Sequence, residues 1–304
     1  MKILCVVDGS EFSHWAVNAI GKLFHQSLKE VVILHVIDNL PFKQGLKKEG
    51  VAAGKVKKML GLIEKEAKKL LKEYEGQAIM TISQSMSQPF VRVRTILEHG
   101  PVSETILKQA TKRKADVIVM GSRGLSDLKG YLMGSVSRKV LAHAPCGVLI
   151  VKEPLPEVPH AVLAIDGSKA SLRAADSLKR WVLPDLISVH VLSVVPQVLT
   201  DLAPRVLRKS QVKALTEPLE QQAQECTSQY REKLLQENYE VTSEVLPGNP
   251  RAIILWTLEK RKADLAILGS KGLTGSERFQ MGSVSEWVAA YSSCSVLVVR
   301  PHVQ

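Results

Sequence analysis

The sequence predicts two tandem α/β domains, each an open, doubly wound sheet of five parallel strands flanked by helices. Three observations carry this. The 304-residue chain repeats itself: "KILCVVDGS" is echoed by "AVLAIDGS", and "KRKADVIVMGSRG" by "KRKADLAILGSKG". Within each copy, apolar runs alternate with helical patterns in the order β-α-β-α-β-α-β-α-β. Runs such as "VVILHVI" and "DVIVMG" are continuously apolar, as strands of a parallel sheet covered on both faces must be.

In the first copy, apolar runs fall at about 2–7, 31–37, 80–97, 116–120 and 147–151. A helix follows Asp8-Gly9-Ser10. A second, lysine-rich helix is marked by Val56, Leu60, Ile63, Ala67 and Leu70 at helical spacing. Asp8 and Asp166 are 158 residues apart, whereas Gly100 and Gly248 are 148 apart. The two copies therefore differ by ten residues in mid-unit, at the lysine-rich segment. "KEPLPEVPH" carries three prolines and separates the copies, giving domains 1–152 and 160–304 joined by a linker at 153–159.

Composition narrows the function classes. Hydrophobic residues make up 45% and charged residues 23%, as in ordinary water-soluble proteins. No run approaches the roughly 20 apolar residues of a membrane span, and the first apolar run is too short for a signal-peptide core. The expected location is the cytoplasm, with no membrane partner. The four cysteines lack metal-like spacing and read as reduced packing residues. The net charge of +11 lies wholly in residues 1–152, which carry 24 Lys+Arg against 13 Asp+Glu. Such a face attracts acidic partners, or is simply solvated. Aromatics are only 5%, and no nucleic-acid motif accompanies the charge.

Most informative is a loop written twice. "GSRGLSDLKGYLMGSVS" begins at Gly121 and "GSKGLTGSERFQMGSVS" at Gly269, each directly after the fourth strand. The first two glycines of each loop leave no Cβ in a ligand's way. Each loop ends in Gly-Ser-Val-Ser at a helix start, where open N–H groups form an anion site suited to a phosphate chain. Asp8 and Asp166 end the first strands. A carboxylate only accepts, so it suits ribose hydroxyls or an adenine edge; capping its own helix is the competing role.

These motifs resemble the ATP-binding subgroup of universal stress proteins, with G-x2-G-x9-G-S at Gly121, Gly124, Gly134, Ser135 and at Gly269, Gly272, Gly282, Ser283. The resemblance covers nearly all of both halves. It implies Rossmann-like, adenine nucleotide α-hydrolase-like sheets, ATP as ligand with Mg²⁺ as an optional companion, and a role in stress response. It also implies adenosine contacts from Asp8, Val36 and Met120, and from Asp166, Val194 and Leu268. Ribose and phosphates would be wrapped by Gly121, Arg123, Gly124, Gly134, Ser135, Val136 and Ser137, and by Gly269, Lys271, Gly272, Gly282, Ser283, Val284 and Ser285. Glu277 and Glu286 stand where the first copy has Lys129 and Arg138, which would weaken the second site. The family pairing mode implies an internal pseudo-dimer of the two halves through "GVLIVK" and "SVLVVR", and leaves a homodimer open.

An efficient ATPase is not indicated. "GVAAGKV" is one residue short of a phosphate-binding P-loop and has Val56 where a hydroxyl should be. No G-x-S-x-G turn and no helix-paired histidines appear. A slow ATPase or nucleotidyl transferase, or a binder of acidic partners through the basic half, remain the alternatives.

Overall fold

The computed structural model describes residues 1–24, 28–38, 53–85, 91–124, 133–182, 184–196, 209–272 and 281–300. The chain divides into two compact units, Met1–Pro154 and Leu155–Pro301.

The first unit runs β1 (Lys2–Val6), α1 (Glu11–Leu23), β2 (Glu30–Ile37), α2 (Ala53–Ser85), β3 (Arg92–His99), α3 (Val102–Arg113), β4 (Val117–Gly121), α4 (Ser135–His143) and β5 (Gly147–Val151). Its strands lie in the order β3-β2-β1-β4-β5, all parallel. The second unit runs β6 (His160–Ile165), α5 (Lys169–Trp181), a short 3₁₀ turn, β7 (Ser188–Pro196), α6 (Lys209–Gln236), β8 (Glu240–Gly248), α7 (Pro250–Lys260), β9 (Leu265–Gly269), α8 (Ser283–Tyr291) and β10 (Ser295–Val299). Its order is β8-β7-β6-β9-β10, also parallel. The expected fold class is thus the observed one.

Burial explains the strand order. β4 and β5 are buried at every residue, and β1 at all but its first, because covered parallel strands meet helices on both sides. β3 alternates charged and apolar residues, and its Arg92, Arg94 and Glu98 suit the edge it occupies. Even the unusual backbone recurs. Gly9 and Gly167 have φ of 89° and 77°, Gly100 and Gly248 have 133° and 144°, and Lys114 and Lys262 have 51° and 48°.

One expectation needs correction. The region 80–97 is not a single extended run, since α2 continues to Ser85 and β3 begins only at Arg92. The helix persists because its end packs on α1: Gln77 Nε2 donates to Asn18 Oδ1 at 2.7 Å and Thr81 Oγ1 to the same oxygen at 3.3 Å. The lysine-rich face is confirmed as exposed, but the apolar stripe is buried only from Ala67 onward. Ala67, Leu71, Tyr74, Ala78 and Ile82 are covered, whereas Met59, Leu62 and Ile63 are 42%, 58% and 39% exposed.

In the second unit, Tyr239 ties β8's approach to the end of α5: its buried hydroxyl donates to the Val182 carbonyl at 2.6 Å. Tyr239→Phe is expected to destabilise this unit by about 1–2 kcal/mol, the cost of an orphaned buried carbonyl, as read by urea denaturation.

Candidate functional site

In each unit the strand order reverses between the first and fourth strands, and it is beyond the carboxyl ends of strands at such a reversal that open α/β sheets bind ligands. Asp8 follows β1 on one side of it; the glycine loop leaves β4 on the other. The same holds for Asp166 after β6 and the loop after β9.

Asp8 does not cap α1. The N-cap is Ser10, whose hydroxyl accepts from Ser13 N at 3.3 Å. Asp8 instead organises the turn: its Oδ1 accepts from Ser10 N at 3.0 Å and from Ser13 Oγ at 2.7 Å. Ser168 likewise caps α5, and Asp166 Oδ1 accepts from Ser168 N at 3.0 Å. The turn is built by Asp-Gly-Ser-x-x-Ser, and its repeated second serine is a signal that sequence reasoning passed over. His35 was missed as well: its Nδ1 lies 2.7 Å from the Val7 carbonyl, bracing the end of β1 against β2.

Close approach explains three of the loop glycines. A Cβ at Gly121 would lie 2.5 Å from Phe12 Cβ, and one at Gly269 would lie 2.5 Å from the Ala170 carbonyl carbon. One at Gly272 would lie 2.8 Å from Asp166 Oδ2, so this glycine lays the loop directly on the carboxylate. The second loop is also tied to the first-strand turn by Ser168 Oγ donating to the Lys271 carbonyl at 3.2 Å.

At its far end each loop is pinned back. Gly134 N donates to Ser122 O at 2.8 Å and Gly282 N to Ser270 O at 2.6 Å. Ser137 Oγ donates to Gly121 O at 2.9 Å, and Ser285 Oγ to Gly269 O at 2.6 Å. These two hydroxyl protons are therefore used internally; what Ser137 and Ser285 can offer outward is backbone. Gly134 and Gly282 are the N-caps of α4 and α8, and neither helix start has a capping side chain. Their first N–H groups, at Ser135-Val136 and Ser283-Val284, are the donors left for an anion. Ser135 and Ser283 are exposed.

Other expected residues take varied places. Val36 and Val194 are half-buried near the carboxyl ends of β2 and β7, and Met120 and Leu268 are buried in the central fourth strands. Arg123 lies with its guanidinium carbon 5.5 Å from the centre of the Phe12 ring, and its Nε is buried without a hydrogen-bond partner among the described residues. Gly124 follows it, half-buried. Lys129 and Glu277 lie outside the described residues; Glu286 is exposed in the first turn of α8. Beside the second site, Cys226 Sγ stands 4.0 Å from a Cβ built at Gly167. Burial, with the Asp166 charge adding to it, raises the pKa of that thiol.

Comparison with known proteins bears on both halves. The model of the Universal stress protein family matches residues 1–152 and again 158–300. Universal stress protein MJ0531 of Methanocaldococcus jannaschii is 33% identical over 156 residues, 51% of this chain and 84% of that protein. Universal stress protein YxiE of Bacillus subtilis is 32% identical over 155 residues, 50% of this chain and 98% of its own length. The crystal structure of a universal stress protein from Archaeoglobus fulgidus shares the fold across 98% of this chain and 96% of its own, with a TM-score of 0.62 and 23% identity.

Proposed function

The chain belongs to the universal stress protein family, carrying its domain twice, and on that premise we propose that one or both halves bind an adenine nucleotide and that the protein acts as a nucleotide-dependent regulator in stress response. The observation that carries this reading is a pair of features on either side of the strand-order reversal: an uncapped helix start after the fourth strand and an aspartate held in a tight turn after the first. The first suits phosphates and the second suits ribose or adenine, and the pair occurs in both units. ATP is the nucleotide that would use both ends of the loop, Gly121 to Gly124 and Gly134 to Ser137, with Arg123 adding positive charge, and their counterparts Gly269 to Gly272 and Gly282 to Ser285. Mg²⁺, where carried, would be held largely by phosphate oxygens and water; among the described residues no group of three or more His, Cys, Asp or Glu side chains is placed to hold a metal. We assign no catalytic residue.

The nucleotide content of the purified chain tests the reading. Denaturation followed by anion-exchange chromatography is expected to release adenine nucleotide at one to two equivalents per chain. ADP accumulating as the sample ages would favour the slow-hydrolysis alternative. A chain that is empty and also fails to bind added ATP would remove the proposal.

A further inference from the structure

At the opposite, amino-terminal edge of the second sheet, a cavity of about 200 Å³ opens above the first residues of β6, β7 and β8 and beside the end of α7. Strand register arranges the residues of its floor, and those beyond them along the strands, in rows. His160, Ser188 and Glu240 form the outermost row; Val162, His190 and Thr242 the next; Ala164, Leu192 and Glu244 the third. In the first unit the same three rows read Lys2-Glu30-Arg92, Leu4-Val32-Arg94 and Val6-Leu34-Ile96. There Arg94 Nε meets Glu30 at 3.5 Å and the central position is apolar. The second unit has histidines and hydroxyls at the corresponding positions.

His190 is only 5% exposed. Its Nδ1 lies 2.8 Å from Thr242 Oγ1. Its Nε2 is buried and has no hydrogen-bond partner among the described residues; Glu244 Oε2 stands 3.7 Å away, beyond hydrogen-bond range. That same carboxylate oxygen is 3.4 Å from Arg261 Nη2, and Arg261 lines the cavity. One carboxylate oxygen thus lies between a guanidinium and an unpaired imidazole nitrogen.

We propose that this cavity is an oxyanion site: the carboxylate or phosphate group of a small molecule takes Arg261 away from Glu244, and His190 accepts a proton from solvent at Nε2 to pair with the released carboxylate. The Ser188 hydroxyl, on the floor of the cavity, is shared with the His160 ring, whose Nδ1 lies 2.5 Å from it; when that nitrogen carries the proton, the hydroxyl is left to donate to the anion. The other charged groups at hand are Glu240 and His160 at the exposed mouth, and Lys260, whose ammonium lies 4.4 Å from the centre of the Trp256 ring. Without the anion, burial and then the Arg261 charge lower the His190 pKa to about 4 from 6.5, so the ring is neutral near pH 7. The unfolded chain then binds the proton first, and stability falls as pH drops from 6.5 toward about 4. Anion binding and proton uptake therefore favour one another.

The test uses the full chain with ¹³C-labelled histidine, titrated with inorganic phosphate and, separately, with acetate. The His190 ring resonance is expected to move toward its protonated position. Affinity should rise about tenfold between about pH 7 and about pH 5. Response to phosphate alone identifies a phosphate ester as the ligand class; response to acetate identifies a carboxylate. Arg261→Gln should lose the response. His190→Val, which restores the first unit's residue, should keep anion binding and lose its pH dependence. A His190 resonance indifferent to both anions overturns the proposal. So does phosphate binding that is undiminished in Arg261→Gln, which would locate the phosphate at the glycine loops.

Discussion

Ser135→Asp is expected to lower nucleotide affinity in the first domain at least tenfold, about 1.4 kcal/mol, without lowering the domain's stability. Ser135 is the first residue of α4, it is exposed, and its helix start lacks a capping side chain. A carboxylate there meets the positive end of the helix dipole and contributes about 0.3–1 kcal/mol to the fold. The same carboxylate would stand where the proposal puts a phosphate. At a separation of about 4 Å, two like charges repel by roughly 4 kcal/mol near a protein surface. Stability and binding thus move in opposite directions, which misfolding cannot mimic. Calorimetric titration with ATP, paired with a thermal melt, reads both. A Ser135→Asp chain that binds ATP as well as the parent would show that the helix start is not the phosphate site. Ser135→Ala should leave binding within about threefold, because the donor is the backbone N–H.

The largest loss of stability is expected from Gly269→Ala. The new Cβ would lie 2.5 Å from the Ala170 carbonyl carbon, 2.6 Å from Ser171 N and 2.7 Å from Ala170 O. All three are backbone atoms at the start of α5, so no side chain can swing aside. Either β9 or the helix start must move, at a cost of about 3 kcal/mol. For a domain of this size that is roughly a 10 °C fall in the melting midpoint of the second unit. Gly282→Ala is the control: its nearest contacts would be 3.3 Å, to Lys271 Cα and Ser270 O, and a shift of a few tenths of an ångström relieves them. Equal melts for the parent and Gly269→Ala would mean that this glycine is not fixed by packing.

Much of this was readable from the chain because it is written twice. The continuous apolar runs at β1, β4 and β5 could only be covered strands, and the shared offsets aligned Asp8 with Asp166 and one glycine loop with the other. The end of α2 was less legible. "AIMTIS" carries β-branched residues that favour strands, and what holds it helical includes the burial of Ala78 and Ile82 and the contacts of Gln77 and Thr81 with Asn18, about 60 residues away in sequence. Asp8 and Ser10 are both good N-caps, and nothing local says which one caps; the structure gives that role to Ser10 and makes Asp8 the brace of the turn. The His190 cluster was hidden for a similar reason. Its members come from three strands and a helix end, so no spacing along the chain announces them.

The four thiols also make the protein its own unfolding gauge. Cys5, Cys146 and Cys294 are buried at 0%, 2% and 4% exposure, whereas Cys226 is partly open beside Gly167. An alkylating reagent should therefore add one mass tag to the native chain, slowly because that thiol resists ionisation, and four tags once both domains open. Chains carrying two or three tags would report one domain opening while the other holds. Cys5 and Cys146 mark the first unit and Cys294 the second, so the tag pattern would identify which domain opened, with no engineered probe.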